Sequence, residues 1–110
     1  MLVDSDFVKI RTAVPLAVAP KVRQALYAAG AGEQGHYTQC SSSIQSLGRF
    51  TPQVGANPAV GQVGKAEEVP EEIIEILCHK DKLPKVIVAL KRAHPYDEPA
   101  IDIIPRLEIE

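Results

Sequence analysis

The chain has 110 residues, 45% of them hydrophobic, with no tryptophan and few aromatics. That describes one domain with an aliphatic core and argues against disorder. A net charge of −2 and a pI near 5.9 argue against nucleic-acid binding, which needs a basic surface or stripe.

Two cysteines, Cys40 and Cys78, make neither a disulfide framework nor a zinc-knuckle spacing. No apolar run is long enough to span a bilayer. With no secretory apolar stretch at the start, the expectation is a cytoplasmic protein with reduced thiols and no membrane partner.

Residues 1–6 read as a short leader that frays. From 7 to 14 the chain alternates, with Val8, Ile10, Thr12 and Val14 on one side and Phe7, Lys9, Arg11 and Ala13 on the other. This is the period of a half-buried strand, and Pro15 closes it. Val22, Ala25, Leu26 and Ala29 predict a helix over 20–29 with one apolar stripe. Pro20 suits its first turn, and Gly30 suits its left-handed end. Residues 36–45 read as a polar strand, turned at Gly48 into a hairpin that returns through Arg49, Phe50 and Thr51.

A Gly- and Pro-rich loop fills 52–67. Loops of this length are functional or disordered, and Val54, Val60 and Val63 give this one groups to pack, so an ordered loop is expected. The next strand, 71–79, places Ile74, Ile76 and Cys78 on one face and Ile73, Glu75, Leu77 and His79 on the other. Asp81 is placed to cap a second helix running to about 94, with Leu83, Val86, Ile87, Leu90 and Ala93 as its stripe. Lys91, Arg92 and His94 lie in its last turn, where cations complement the helix dipole. The Pro95-Tyr96-Asp97-Glu98-Pro99 turn ends it. A last strand at 100–104 meets Pro105, a residue of edges and strand ends.

Two β-α units on one antiparallel sheet predict an α+β, ferredoxin-like fold, with two helices on one face and an extra hairpin. The helix-free face carries Ile73 and Leu77. It calls for a partner, most simply a second copy of the chain.

Two motifs run through these elements. One is G-H-Y-x-x-C-S at 35–41, followed by G-x-F-x-P at 48–52 and G-A-N-P-x-x-G-x-V-G-x-x-E-x-V at 55–69. The other is A-H-P-Y-D-E-P-A at 93–100, followed by D-I-I-P. Together they resemble the central insertion domain of the Nif-three-like proteins (the Ngg-one-interacting factor family), over about 7–105. The chain resembles a stand-alone version of that domain. The H-P-Y-D-E-P segment also looks like CutA, which shares the ferredoxin-like fold with the signal protein PII. The resemblance implies a PII/CutA-like, self-associating architecture, a dimer or trimer. Full-length Nif-three-like proteins flank this domain with two halves of a larger one. Those halves hold a two-metal site, and members are described as a type of GTP cyclohydrolase. This chain has no counterpart of those ligands, so the resemblance does not carry that activity over.

The site residues are weighed one by one. Gly61 and Gly64, with Lys65, invite comparison with a phosphate loop. Position 59 is Ala where the Walker pattern needs Gly, and Ala66 lacks the magnesium-binding hydroxyl. Their simpler role is to allow positive φ in a tight loop. His36 and Cys40 on one strand face would lie roughly 13 Å apart, too far for one metal without a bulge. Sharing a divalent metal with His94, Glu67 or Glu68 from neighbouring elements is the metal reading, since soft S and N ligands suit zinc or copper; the plain alternative is a half-buried thiol and a polar strand end. His94 reads as a capping cation and Tyr96 as a packing residue with a solvated hydroxyl. Asp97 and Glu98, being adjacent, make a poor acid–base pair.

The expected function is a non-catalytic regulatory or binding domain. It takes a small ligand, a metal ion or a protein partner on a surface formed by His36, Tyr37, Cys40, Asn57, Gly61, Gly64, Glu68, His94 and Tyr96. The alternative is a metal-dependent hydrolase with His36, Cys40 and Glu68 recruited between subunits.

Overall fold

A computed structural model describes all 110 residues. Four strands and two helices follow in the order β1 (Leu2–Pro15), α1 (Ala19–Ala28), β2 (Ser42–Phe50), β3 (Glu67–His79), α2 (Leu83–Ala93) and β4 (Ile101–Ile109), with a short 3-10 turn before each helix. The strands form one antiparallel sheet in the order β2-β3-β1-β4. Both helices pack on one face of it.

The period-two pattern of β1 and β3 decides that face. Val8, Ile10, Thr12 and Val14 pair across the ladder with Cys78, Ile76, Ile74 and Glu72. The helices add Val22, Leu26, Val86 and Leu90, all fully buried, and the resulting core cluster contains no aromatic ring. Each large aliphatic side chain buried here contributes about 1.5–3 kcal/mol.

Helix α1 ends as Gly30 predicts. Gly30 has φ +105°. Its N–H donates to the Tyr27 carbonyl at 3.0 Å, and the Ala31 N–H donates to the Leu26 carbonyl at 3.0 Å. This is the paired bonding of a left-handed helix terminus. Helix α2 begins differently from expectation. Asp81 lies in the preceding 3-10 turn, where its N–H donates to His79 Nδ1 at 3.1 Å, and a proline opens the helix proper.

Three further expectations change. Residues 2–6 are not a frayed leader but the start of β1, with Leu2 paired to Ile109 and Asp4 to Leu107. A bulge separates this arm from the rest of the strand, with the Phe7 N–H donating to Ser5 Oγ at 3.0 Å. The polar strand lies at 42–50, not 36–45, and runs straight through Gly48. The extra hairpin is therefore absent, and the hairpin at this edge is β2 and β3 themselves, joined by the loop 51–66. Strand β4 continues past Pro105, which an edge strand tolerates. No helix is long and apolar enough to cross a membrane.

Candidate functional site

At one end of the sheet β1 and β2 finish while β3 and β4 begin. The loop 51–66 and the turn after α2 rise there as two walls around a cavity of about 640 Å3. At its base lies Glu71, only 5% exposed. Its carboxylate rests on Gly48 across the β2–β3 ladder: a Cβ added to Gly48 would fall 2.0 Å from Glu71 Oε1. A glycine inside a strand marks such a close approach.

The second wall is tied to this carboxylate. The Tyr96 hydroxyl donates to Glu71 Oε2 at 2.6 Å, and the Tyr96 ring meets Phe50 edge-on with centroids 5.7 Å apart. Burial, and then the carboxylate that accepts its proton, push the Tyr96 pKa up, so the hydroxyl stays a donor.

His94 is buried just behind Tyr96. Its Nδ1 accepts the Tyr96 N–H at 3.2 Å, which leaves Nε2–H to donate to the Ala13 carbonyl at 2.8 Å. Burial pulls its pKa below the ordinary 6.5, against smaller upward pulls from Ala13 and Glu71. The expected capping cation is therefore a neutral imidazole with both nitrogens engaged, not a free metal ligand. The Tyr96 hydroxyl, expected in solvent, is bonded instead. The loop wall is latched to the turn wall where the Asn57 N–H donates to Asp97 Oδ2 at 3.0 Å.

The expected site residues thus fall into three groups. Tyr96 lines the cavity, His94 supports it from behind, and the Asn57 backbone latches the loop wall to the turn wall. Gly61 packs beside Glu67, the first residue of β3, and Gly64 stands in open space; both have positive φ, as a tight loop requires. Glu68, at the start of β3, accepts from Arg49 Nε at 2.8 Å.

His36, Tyr37 and Cys40 lie elsewhere, in the link between α1 and β2. That link is anchored by the Gly32 N–H on the Leu77 carbonyl and the Cys40 N–H on the Gly32 carbonyl. Leu77 is six residues along β3 from Glu71, roughly 20 Å. His36 and Cys40 therefore do not meet Glu68 or His94 within one chain, and no three His, Cys, Asp or Glu side chains gather closely enough to hold a metal ion. Cys78 belongs to the core, where burial raises its pKa. Sequence reasoning missed Glu71 and the true role of Gly48. The available signal was a glycine within a strand pattern and an acidic residue entering an apolar strand.

No protein-family model matches the chain. Two solved structures define its class. CutA from Synechococcus elongatus PCC7942 aligns with a TM-score of 0.67 at 18% identity, over 98% of this chain and 85% of that one. The periplasmic divalent cation tolerance protein CutA from Archaeoglobus fulgidus aligns with a TM-score of 0.65 at 20% identity, over 91% and 83%. At these identities the likeness is one of fold, and the chain is a CutA-like α+β domain.

The nearer relationship is to longer proteins. A Bacillus cereus protein related to NIF3 aligns with a TM-score of 0.79 at 37% identity, over 96% of this chain and 26% of that one. The GTP cyclohydrolase 1 type 2 homolog of Mycobacterium tuberculosis is 42% identical over 90 residues, 82% of this chain and 24% of the relative. The Bacillus subtilis homolog is 41% identical over 97 residues, 88% and 26%. The chain is a homologue of the NIF3-related proteins over one domain of their length. It spans about a quarter of the curated relatives it matches.

Proposed function

We propose that this domain binds and does not catalyse, and that its ligand site is the cavity between the 51–66 loop and the Tyr96 turn. One observation carries this: a nearly fully buried carboxylate, Glu71, faces a cavity of about 640 Å3 walled by Phe50, Tyr96 and loop prolines. The volume is that of a small-molecule site, and an apolar lining around a few placed polar groups is the usual construction of one. The cyclohydrolase named for the longer relatives is left to the parts of them that this chain does not span. A crystallographic fragment screen tests the site. Fragments gathering in this cavity against Phe50 and Tyr96 support it; hits elsewhere, with this cavity empty, overturn it.

The domain also self-associates in this proposal. A separate observation favours it. The helix-free sheet face carries Ile73 and Leu77, with Ile44 and Ile104 on the flanking strands, the last two 57% and 39% exposed. The arm formed by residues 2–4 and 107–109 adds Leu2, Leu107 and Ile109. A two-stranded ribbon of this kind is marginal alone. Covering it together with the open face fits a second copy of the chain, as a dimer or trimer. Light scattering at micromolar concentration measures this directly, and a monomer there would sink it.

A further inference from the structure

The charge in the cavity is one-sided. Glu71, Asp97 and Glu98 line it with a single basic residue, Arg49, and Arg49 turns its Nε to Glu68. Glu71 is the most deeply placed. One oxygen accepts a hydrogen bond from the Tyr96 hydroxyl, and none of the ion pairs in the chain includes Glu71. His94 cannot neutralise it, since both its nitrogens are held by backbone groups.

Burying a carboxylate without a cation is costly, and the cost falls when a charge-assisted partner arrives. Directly beside it stand the Phe50 and Tyr96 rings, inclined at 62°. Aromatic faces attract cations and pack against flat apolar groups.

Resting on the cavity being the ligand site, we infer that it takes a small organic cation, with an ammonium or amidinium group on the Glu71 carboxylate and an apolar or aromatic body against the Phe50–Tyr96 pair. The charge matches, the hydrogen-bond acceptor is already in place, and the walls supply apolar surface for the rest of the molecule. An anion would meet three carboxylates and only one arginine, itself already paired.

Three probes of similar size and different charge test the assignment on the full chain: benzylamine, benzyl alcohol and benzoate, titrated at matched concentrations while backbone amide shifts are followed by NMR. Benzylamine is expected to move the amides of Gly48, Phe50, Glu71 and Tyr96. Its affinity should exceed that of the other two by about tenfold or more, the worth of one charge-assisted hydrogen bond. Glu71→Gln keeps the shape and the acceptor for Tyr96 and should remove that advantage. Benzyl alcohol or benzoate binding at these amides as well as benzylamine would overturn the cation assignment while leaving the cavity as a site. If no probe moves them, both fall. Should Glu71→Gln not fold, the three-probe comparison on the wild-type chain decides alone.

Discussion

Gly48 shows how one residue controls this site. In most strands a glycine is a weakness; here its missing Cβ is the space in which the Glu71 carboxylate lies. Gly48→Ala should displace that carboxylate and break its bond from Tyr96, at about 1–3 kcal/mol in urea denaturation. In a Glu71→Ala background the same change should cost less than half as much, because the clash has been removed.

His94 gives a prediction of known sign. Its folded pKa lies below 6.5 because burial penalises the imidazolium. As pH falls through 6.5, the unfolded chain takes up a proton that the folded chain refuses. Stability is therefore complete above that value and declines below it, toward the lowered folded pKa. Urea midpoints measured on both sides of pH 6.5 should show the decline in the wild-type chain and a flatter profile in His94→Gln; parallel profiles would remove His94 as the cause.

Among the elements, β3 does most of the organising. It pairs with both β1 and β2 and carries Glu71 at one end and the core residues Ile74, Ile76 and Cys78 along its length. It also anchors helix α1. Glu72 sits on the helix face, receives a hydrogen bond from Ser43 Oγ at 2.8 Å, and pairs with Arg23. Three elements therefore meet at one partly buried carboxylate. The Arg49–Glu68 pair is a contrast, with side chains 69% and 55% exposed. Exposed pairs are screened by water and contribute little. Arg23→Ala should cost about 1–2 kcal/mol and Arg49→Ala less than about 0.5 kcal/mol, read as the shift in urea midpoint. Equal costs would mean that the difference in burial has no energetic consequence.

At the scale of the whole molecule the strands outrun the helices. A 14-residue β1 extends roughly 46 Å at 3.3 Å per residue, while the ten-residue α1 covers about 15 Å. The helices can shield one face of the middle of the sheet and nothing more. Beside the Lys9–Glu75 and Arg11–Glu75 pairs the open face exposes Ile44 and Ile104, the terminal arm exposes Leu2, Leu107 and Ile109, and this disproportion underlies the proposed self-association. Leu77→Glu places a charge at the centre of the open face, on the side away from the helix-covered core. It should shift the chain to a smaller species in light scattering while far-ultraviolet circular dichroism stays unchanged. An unchanged mass would mean that copies meet through another surface.

What the sequence determined by itself was periodic and local. The period-two runs in β1 and β3, the 3.6-residue stripes of the helices and the glycine that ends α1 depend on neighbours a few residues away. Those elements, their order and the α+β fold are legible without coordinates, as is the resemblance carried by the 35–69 and 93–100 motifs. Long-range pairing decided the rest. Residues 2–6 look like a loose leader until 107–109 come alongside. The serine-rich strand has no alternation to mark its limits, so β3 sets its register and carries it straight through Gly48. His94 looks like an exposed helix cap until Ala13 and Tyr96 bind its two nitrogens. Glu71 looks like one of several acidic residues entering a strand. Only the fold lays it over the glycine, beneath the tyrosine and against the cavity, because those contacts join residues 23 and 25 positions away whose meeting no local pattern encodes.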